Sequence, residues 1–164
     1  MNKIVIGIIA LLLLGGVVWI ARPNSQSTAA TLSTNNNGTL TVEETNNYDF
    51  GTISMAAGKV THSFKIKNTG NEAVTINKMY TSCMCTTALL RKGDKQFGPY
   101  GMPGHGAIPK IGQTINPNEE ATVEVIFDPA AHGPAGVGRI ERAVYLENNA
   151  GDPIELMFVA SVTP

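Results

Sequence analysis

The chain is predicted to be all-β: seven or so strands packed as two antiparallel sheets, preceded by one N-terminal transmembrane helix. Three observations lead there. From Thr39 onward the sequence falls into short runs of alternating apolar and polar residues; glycines and prolines, 17 and nine over the whole chain, lie mostly between those runs; and no window after the first 22 residues keeps a helical period.

Lys3 precedes an apolar run from Ile4 to Ala21, uncharged throughout, and Arg22-Pro23 closes it. A secretory signal core is usually ~7–15 residues and a spanning helix ~17–25, so residues 1–23 are expected to be an uncleaved membrane anchor. The small residues Ser27 to Ala30 stand too far beyond the run for a comfortable cleavage site, and cleavage with secretion is the alternative. The start amine and Lys3 slightly outweigh Arg22, which places the rest of the chain on the extracytoplasmic side, in the cell envelope. Two of the 12 Lys and Arg lie in this segment, leaving ten against 13 Asp and Glu, and no basic patch points to nucleic acid.

Within residues 24–38, Asn24 to Asn37 are Ser, Thr, Asn, Gln and Ala with a single large apolar residue, Leu32. Such a stretch buries too little to offset its ordering entropy, so it is expected to be a flexible tether. The domain is expected to span 39–164. Thr39 to Glu43 opens the strand series, and Tyr48 to Ile53 follows. In Val60 to Lys67, Val60, His62, Phe64 and Ile66 share one face, as a half-buried strand requires. Asn68-Thr69-Gly70 begins a turn, and Val74 to Tyr80 leads into the two cysteines. Ala121 to Phe127, Arg139 to Leu146 and Ile154 to Val162 complete the set. His62 is expected at the core or its rim, Met55, Met79 and Met157 in packing, and Arg139, Glu141 and Arg142 in cross-strand ion pairs.

Thr81-Ser82-Cys83-Met84-Cys85-Thr86-Thr87 holds both cysteines of the chain. On an extended backbone Cys83 and Cys85 project together and Met84 points away. A disulfide between such residues falls near the upper end of the usual Cα separation and is expected to be easily reduced, unlike a structural staple. Residues 88–116 are expected to form a long Gly/Pro-rich loop that folds back over the pair and brings Met102 and His105. Thiolate, thioether and imidazole suit Cu(I) better than Zn(II), which wants four ligands. The expected metal set is Cys83, Cys85, Met102 and His105, with His132 and Met84 as weaker candidates. An inert thiol pair or disulfide, and a thiol-disulfide redox pair, are the alternatives.

Asp49-Phe50-Gly51-Thr52-Ile53, Val60 to Phe64 with Asn68-Thr69-Gly70, the cysteine stretch and Phe127-Asp128-Pro129, in that order, resemble the bacterial family called domain of unknown function 1573. The resemblance covers roughly residues 48 to 162 and implies an exported immunoglobulin-like sandwich akin to pilus-chaperone modules. The family has no assigned activity. Met84 departs from its pattern, which often has Gly between the cysteines, and the connection from Ala88 to Asn116 is longer than the family usually needs.

No catalytic residues are expected: there is no phosphate-cradling glycine motif, no Gly-x-Ser-x-Gly elbow and no His-Glu-x-x-His pair. The sequence thus predicts a membrane-anchored extracytoplasmic binding module with a soft-metal site. A structural or adhesive domain meeting protein partners at a sheet edge is the reading from another class.

Overall fold

A computed structural model describes residues 37–104 and 108–164. The anchor expected over 1–23 and most of the tether lie outside the described residues. Among those described, no helix is long and apolar enough to cross a membrane.

Ten strands form: β1 (Leu40–Val42), β2 (Asn47–Ser54), β3 (Val60–Asn68), β4 (Val74–Thr81), β5 (Thr86–Lys92), β6 (Lys95–Tyr100), β7 (Gln113–Ile115), β8 (Glu120–Phe127), β9 (Gly138–Asn148) and β10 (Ile154–Thr163). They make two five-stranded sheets, ordered β1-β3-β8-β5-β6 and β2-β10-β9-β4-β7. The all-β sandwich is as expected. Two details differ: the strand count is higher, and the second sheet is mixed because β2 runs parallel to β10. A parallel pair needs a long connection, and here nearly the whole domain supplies it.

The third difference is the segment 88–116, expected to be a loop. It contains most of the β5–β6 hairpin and all of β7. Ala88, Leu89 and Leu90 are buried, so β5 is an interior strand whose continuous apolar run hides the alternation that would betray it. β6 carries Gly98 and Pro99, residues that argue against an interior strand, but as the outer strand of its sheet it tolerates both. Gly98 has φ +114°, and a Cβ there would lie 2.9 Å from the Ala88 carbonyl oxygen, at the irregularity in the β5–β6 register.

Between the sheets lie Phe64, Ile66, Ile76, Met79, Leu90 and Phe158, among other apolar side chains. Phe158 meets Phe50 and Phe127 at centroid separations of 5.4 and 5.3 Å. Met79 is buried, with Met55 at the core margin, as the packing expectation had it. His62 is half-buried at the rim, its ring stacked on Tyr48 at 3.5 Å. Burial lowers its pKa below the ordinary imidazole value, against a smaller opposing pull from Glu44.

One pole of the sandwich is closed by Asn68, which is fully buried. Its amide nitrogen donates to the carbonyls of Glu72 (2.7 Å) and Ile115 (2.9 Å), and its oxygen accepts from the N–H groups of Thr39 (3.2 Å) and Gly70 (3.0 Å). Thr69 N–H donates to the Thr39 carbonyl at 2.8 Å, so residues 37–39 lie tucked against this turn. A Cβ on Gly70 would fall 2.3 Å from the Asn37 carbonyl oxygen, which is why only glycine fits there.

Candidate metal and thiol site

At the other pole two of the connections that cross between the sheets carry the cysteines and His132. β4 ends at Thr81 in one sheet and β5 starts at Thr86 in the other, so residues 82–85 bridge them. Residues 128–137 bridge from β8 back to β9 in the same way. Because Thr86 and Val60 both pair with Phe127, the strand register sets the two bridges side by side. Asp128 N–H donates to the Cys85 carbonyl at 2.8 Å and ties them together.

The backbone turns at the cysteines rather than running extended, contrary to expectation. Thr86 N–H donates to the Cys83 carbonyl at 3.1 Å, closing the turn. The buried Thr81 hydroxyl lies 2.9 Å from that carbonyl and 3.0 Å from the Thr86 carbonyl, its single hydrogen shared between them. Ser82 is pinned to β9 from both sides, its N–H donating to the Ala143 carbonyl and its hydroxyl oxygen accepting from Ala143 N–H, each at 2.9 Å. The turn brings the Cys83 and Cys85 Cα atoms to 5.3 Å, inside the usual disulfide range instead of at its upper end, and the two sulfurs are bonded.

Both cysteines are buried, while His132 on the second bridge is exposed. His132 Nε2 stands 3.1 Å from Cys83 Sγ. Together Cys83, Cys85 and His132 present three ligand atoms within 4.8 Å of one another. Cys85 N–H donates to Cys83 Sγ at 3.4 Å, and the Thr86 hydroxyl lies 3.7 Å from Cys85 Sγ. The two sulfurs thus sit at the margin of the apolar core, with one backbone N–H, one hydroxyl and one exposed imidazole as their polar neighbours.

The sequence ranked His132 below His105 and Met102. His105 lies outside the described residues. Met102 is half-buried just past β6, where the Gly101 carbonyl accepts from Thr81 N–H at 3.2 Å. Met84 is about half exposed at the tip of the turn. The signal for His132 is the pairing of β8 with β5, which delivers residue 128 to residue 85; no local spacing encodes it. Arg139, Glu141 and Arg142, expected as ion pairs, make none among the described residues. Instead Arg142 Nη1 donates to the Glu141 carbonyl at 2.7 Å, because on β9 its side chain shares the inward face with Val144 and Leu146.

Residues 40–98 match the family model described as "Protein of unknown function (DUF1573)". The match runs from β1 into β6 and takes in the cysteine turn, so the resemblance read from the sequence is found over these strands. No curated protein matches the chain. Among solved structures, a protein of unknown function from Porphyromonas gingivalis W83 is similar at 14% identity and a TM-score of 0.58, over 82% of this chain and 51% of that one. The chain thus spans about half of that protein, and at such identity the likeness concerns the fold alone. PapD-like domain 7 of human CEP192 is similar at 11% identity and a TM-score of 0.46, over 79% of this chain and 87% of that one. The YadV chaperone is similar at 7% identity and 0.43, over 78% and 53%.

Proposed function

We propose that this chain is a membrane-anchored, extracytoplasmic binding module of immunoglobulin-like fold whose reduced form holds one Cu(I) ion through Cys83, Cys85 and His132. The observation that supports this is the convergence of two sulfurs and one imidazole from separate bridges within 4.8 Å. Two soft donors and one borderline donor suit a cuprous ion, which accepts low coordination numbers; zinc would need a fourth ligand. Uptake starts from the dithiol. An external dithiol would reduce the Cys83–Cys85 bond, its own sulfurs becoming the disulfide, and the two freed thiols would lose their protons to serve as thiolate ligands. His132 would supply the third donor from the exposed side, and Cys85 N–H, 3.4 Å from Cys83 Sγ, would stabilise charge on that sulfur.

Competition of the reduced full-length protein against a chromogenic Cu(I) chelator tests this. We expect one ion per chain, at least a hundredfold loss of affinity in Cys83→Ser Cys85→Ser, and about a tenfold loss in His132→Ala. Equal uptake by the parent and the double serine variant ends the metal reading.

The bonded sulfurs favour a second reading, thiol-disulfide exchange. In it a partner thiolate attacks Cys85 Sγ, the Cys83–Cys85 bond breaks, and Cys83 leaves as a thiolate beside His132. A pair that stays fully reduced in an oxidising glutathione buffer sinks this alternative.

A further inference from the structure

The turn that carries the sulfurs is held chiefly by groups other than the sulfurs. Thr86 N–H closes it onto the Cys83 carbonyl, the Thr81 hydroxyl braces the Cys83 and Thr86 carbonyls, and Ser82 is fixed to Ala143 of β9 from both sides. His132 stands on a separate bridge, joined to the first by the hydrogen bond from Asp128 N–H to the Cys85 carbonyl. None of these bonds uses an Sγ atom. The frame that gathers Cys83, Cys85 and His132 therefore does not depend on whether the two sulfurs are bonded to each other.

The sulfurs themselves can serve one partner at a time. Bonded to each other, they carry no thiolate, which is the metal-binding form of cysteine, and His132 is the one donor left of the three-atom cluster. A single exposed imidazole is a poor substitute for two thiolates and an imidazole together. Once reduced, the pair regains both anions with His132 Nε2 already 3.1 Å from Cys83 Sγ. The bonded state and the metal-holding state thus compete for the same two atoms inside one braced frame.

We infer that the Cys83–Cys85 bond is the release switch of the copper site: closing the bond expels the ion, and a bound ion keeps the bond open. This rests on the Cu(I) reading and adds its regulation. The oxidant is an external disulfide. One cysteine thiolate attacks a sulfur of that disulfide and expels a first thiolate; the other cysteine thiolate then attacks the sulfur of the mixed disulfide on its neighbour and expels a second. Two electrons pass from the cysteines to the oxidant, the two expelled thiolates take protons from water, and the ion departs as Cu(I), its oxidation state unchanged. Because only the reduced state binds, the effect is reciprocal: free Cu(I) at about a hundred times Kd raises the ratio of reduced to oxidised protein about a hundredfold.

The test equilibrates the full-length protein, without oxygen, in glutathione buffers of graded poise. Free Cu(I) is either absent or fixed at about a hundred times Kd by an excess of chromogenic chelator, and free thiols are counted by acid quench, alkylation and mass. The poise at half oxidation, taken as the square of the glutathione thiol concentration over that of its disulfide, should fall about a hundredfold when copper is present. In His132→Ala, at the same free copper, it should fall about tenfold. In the reverse direction, oxidised glutathione added to loaded protein should pass one equivalent of Cu(I) to a weak chelator as the two thiols disappear. A half-oxidation poise that copper moves less than twofold, or an ion retained after the thiols are gone, overturns the switch. Chelator competition on the reduced protein tells that failure from failure of the metal reading: one ion bound leaves the Cu(I) reading standing without its switch, and no ion bound removes both.

Discussion

The two poles of the sandwich are built on opposite plans. At the Asn68 pole a single buried amide makes four hydrogen bonds and a glycine fills a space with no room for a side chain, so the groups bonded there serve the fold. At the cysteine pole the backbone is braced just as thoroughly, by Thr81, Ser82 and Asp128, yet the atoms so positioned are two sulfurs and an exposed imidazole. The difference teaches where to look for chemistry: one pole spends its bracing on closing the sandwich, the other on holding groups that can react.

The largest expected effect comes from breaking the structural pole. Asn68→Ala strands two N–H groups and two carbonyls at once, and at roughly 1 kcal/mol net for each of the four lost bonds the variant should be less stable by about 4 kcal/mol in urea unfolding. Cu(I) affinity of the folded fraction should stay within twofold. A cost under about 1 kcal/mol would show that the tuck of residues 37–39 is not a lock.

Next comes the brace of the other pole. Thr81→Val keeps shape and removes the hydroxyl shared by the Cys83 and Thr86 carbonyls, so a cost of about 1–2 kcal/mol is expected. Here the metal affinity should fall as well, several-fold, because the turn that positions the sulfurs loosens. If stability drops and affinity does not, the two poles are more alike than the comparison claims.

The smallest effect is a pH dependence. His62 has a lowered pKa in the folded state, so the unfolded chain binds its proton more readily. Stability should be undiminished above the ordinary histidine value of about 6.5 and decline as pH falls through that value toward the lower folded one. His62→Gln should flatten this limb of the stability curve while leaving the carboxylate-driven loss at lower pH. An unchanged curve would show that the stacked ring on Tyr48 titrates as if in water.

How far the sequence carried can be judged from particular strands. β3 was legible because Phe64 and Ile66 alternate with exposed Thr61, Ser63 and Lys65, a pattern one half-buried strand suffices to produce. β5 was not, because a strand covered on both faces has no alternation to read, and β6 was not, because its glycine and proline are legal only at an edge that topology alone reveals. The site divides the same way. Cys83 and Cys85 are adjacent in the chain and so were visible at once. His132 reaches them from 47 residues beyond Cys85, and only the register of β8 against β5 makes that approach.

The tuck of residues 37–39 against the Asn68 turn also sets the start of the described domain at the pole opposite the sulfurs. Nine residues of β3 separate that fastening from the sulfur-bearing tip, a span of about 30 Å. A change made at residues 37–39 therefore acts at the end of the strands remote from Cys83, Cys85 and His132, and should reach the sulfurs only through the length of the sheets.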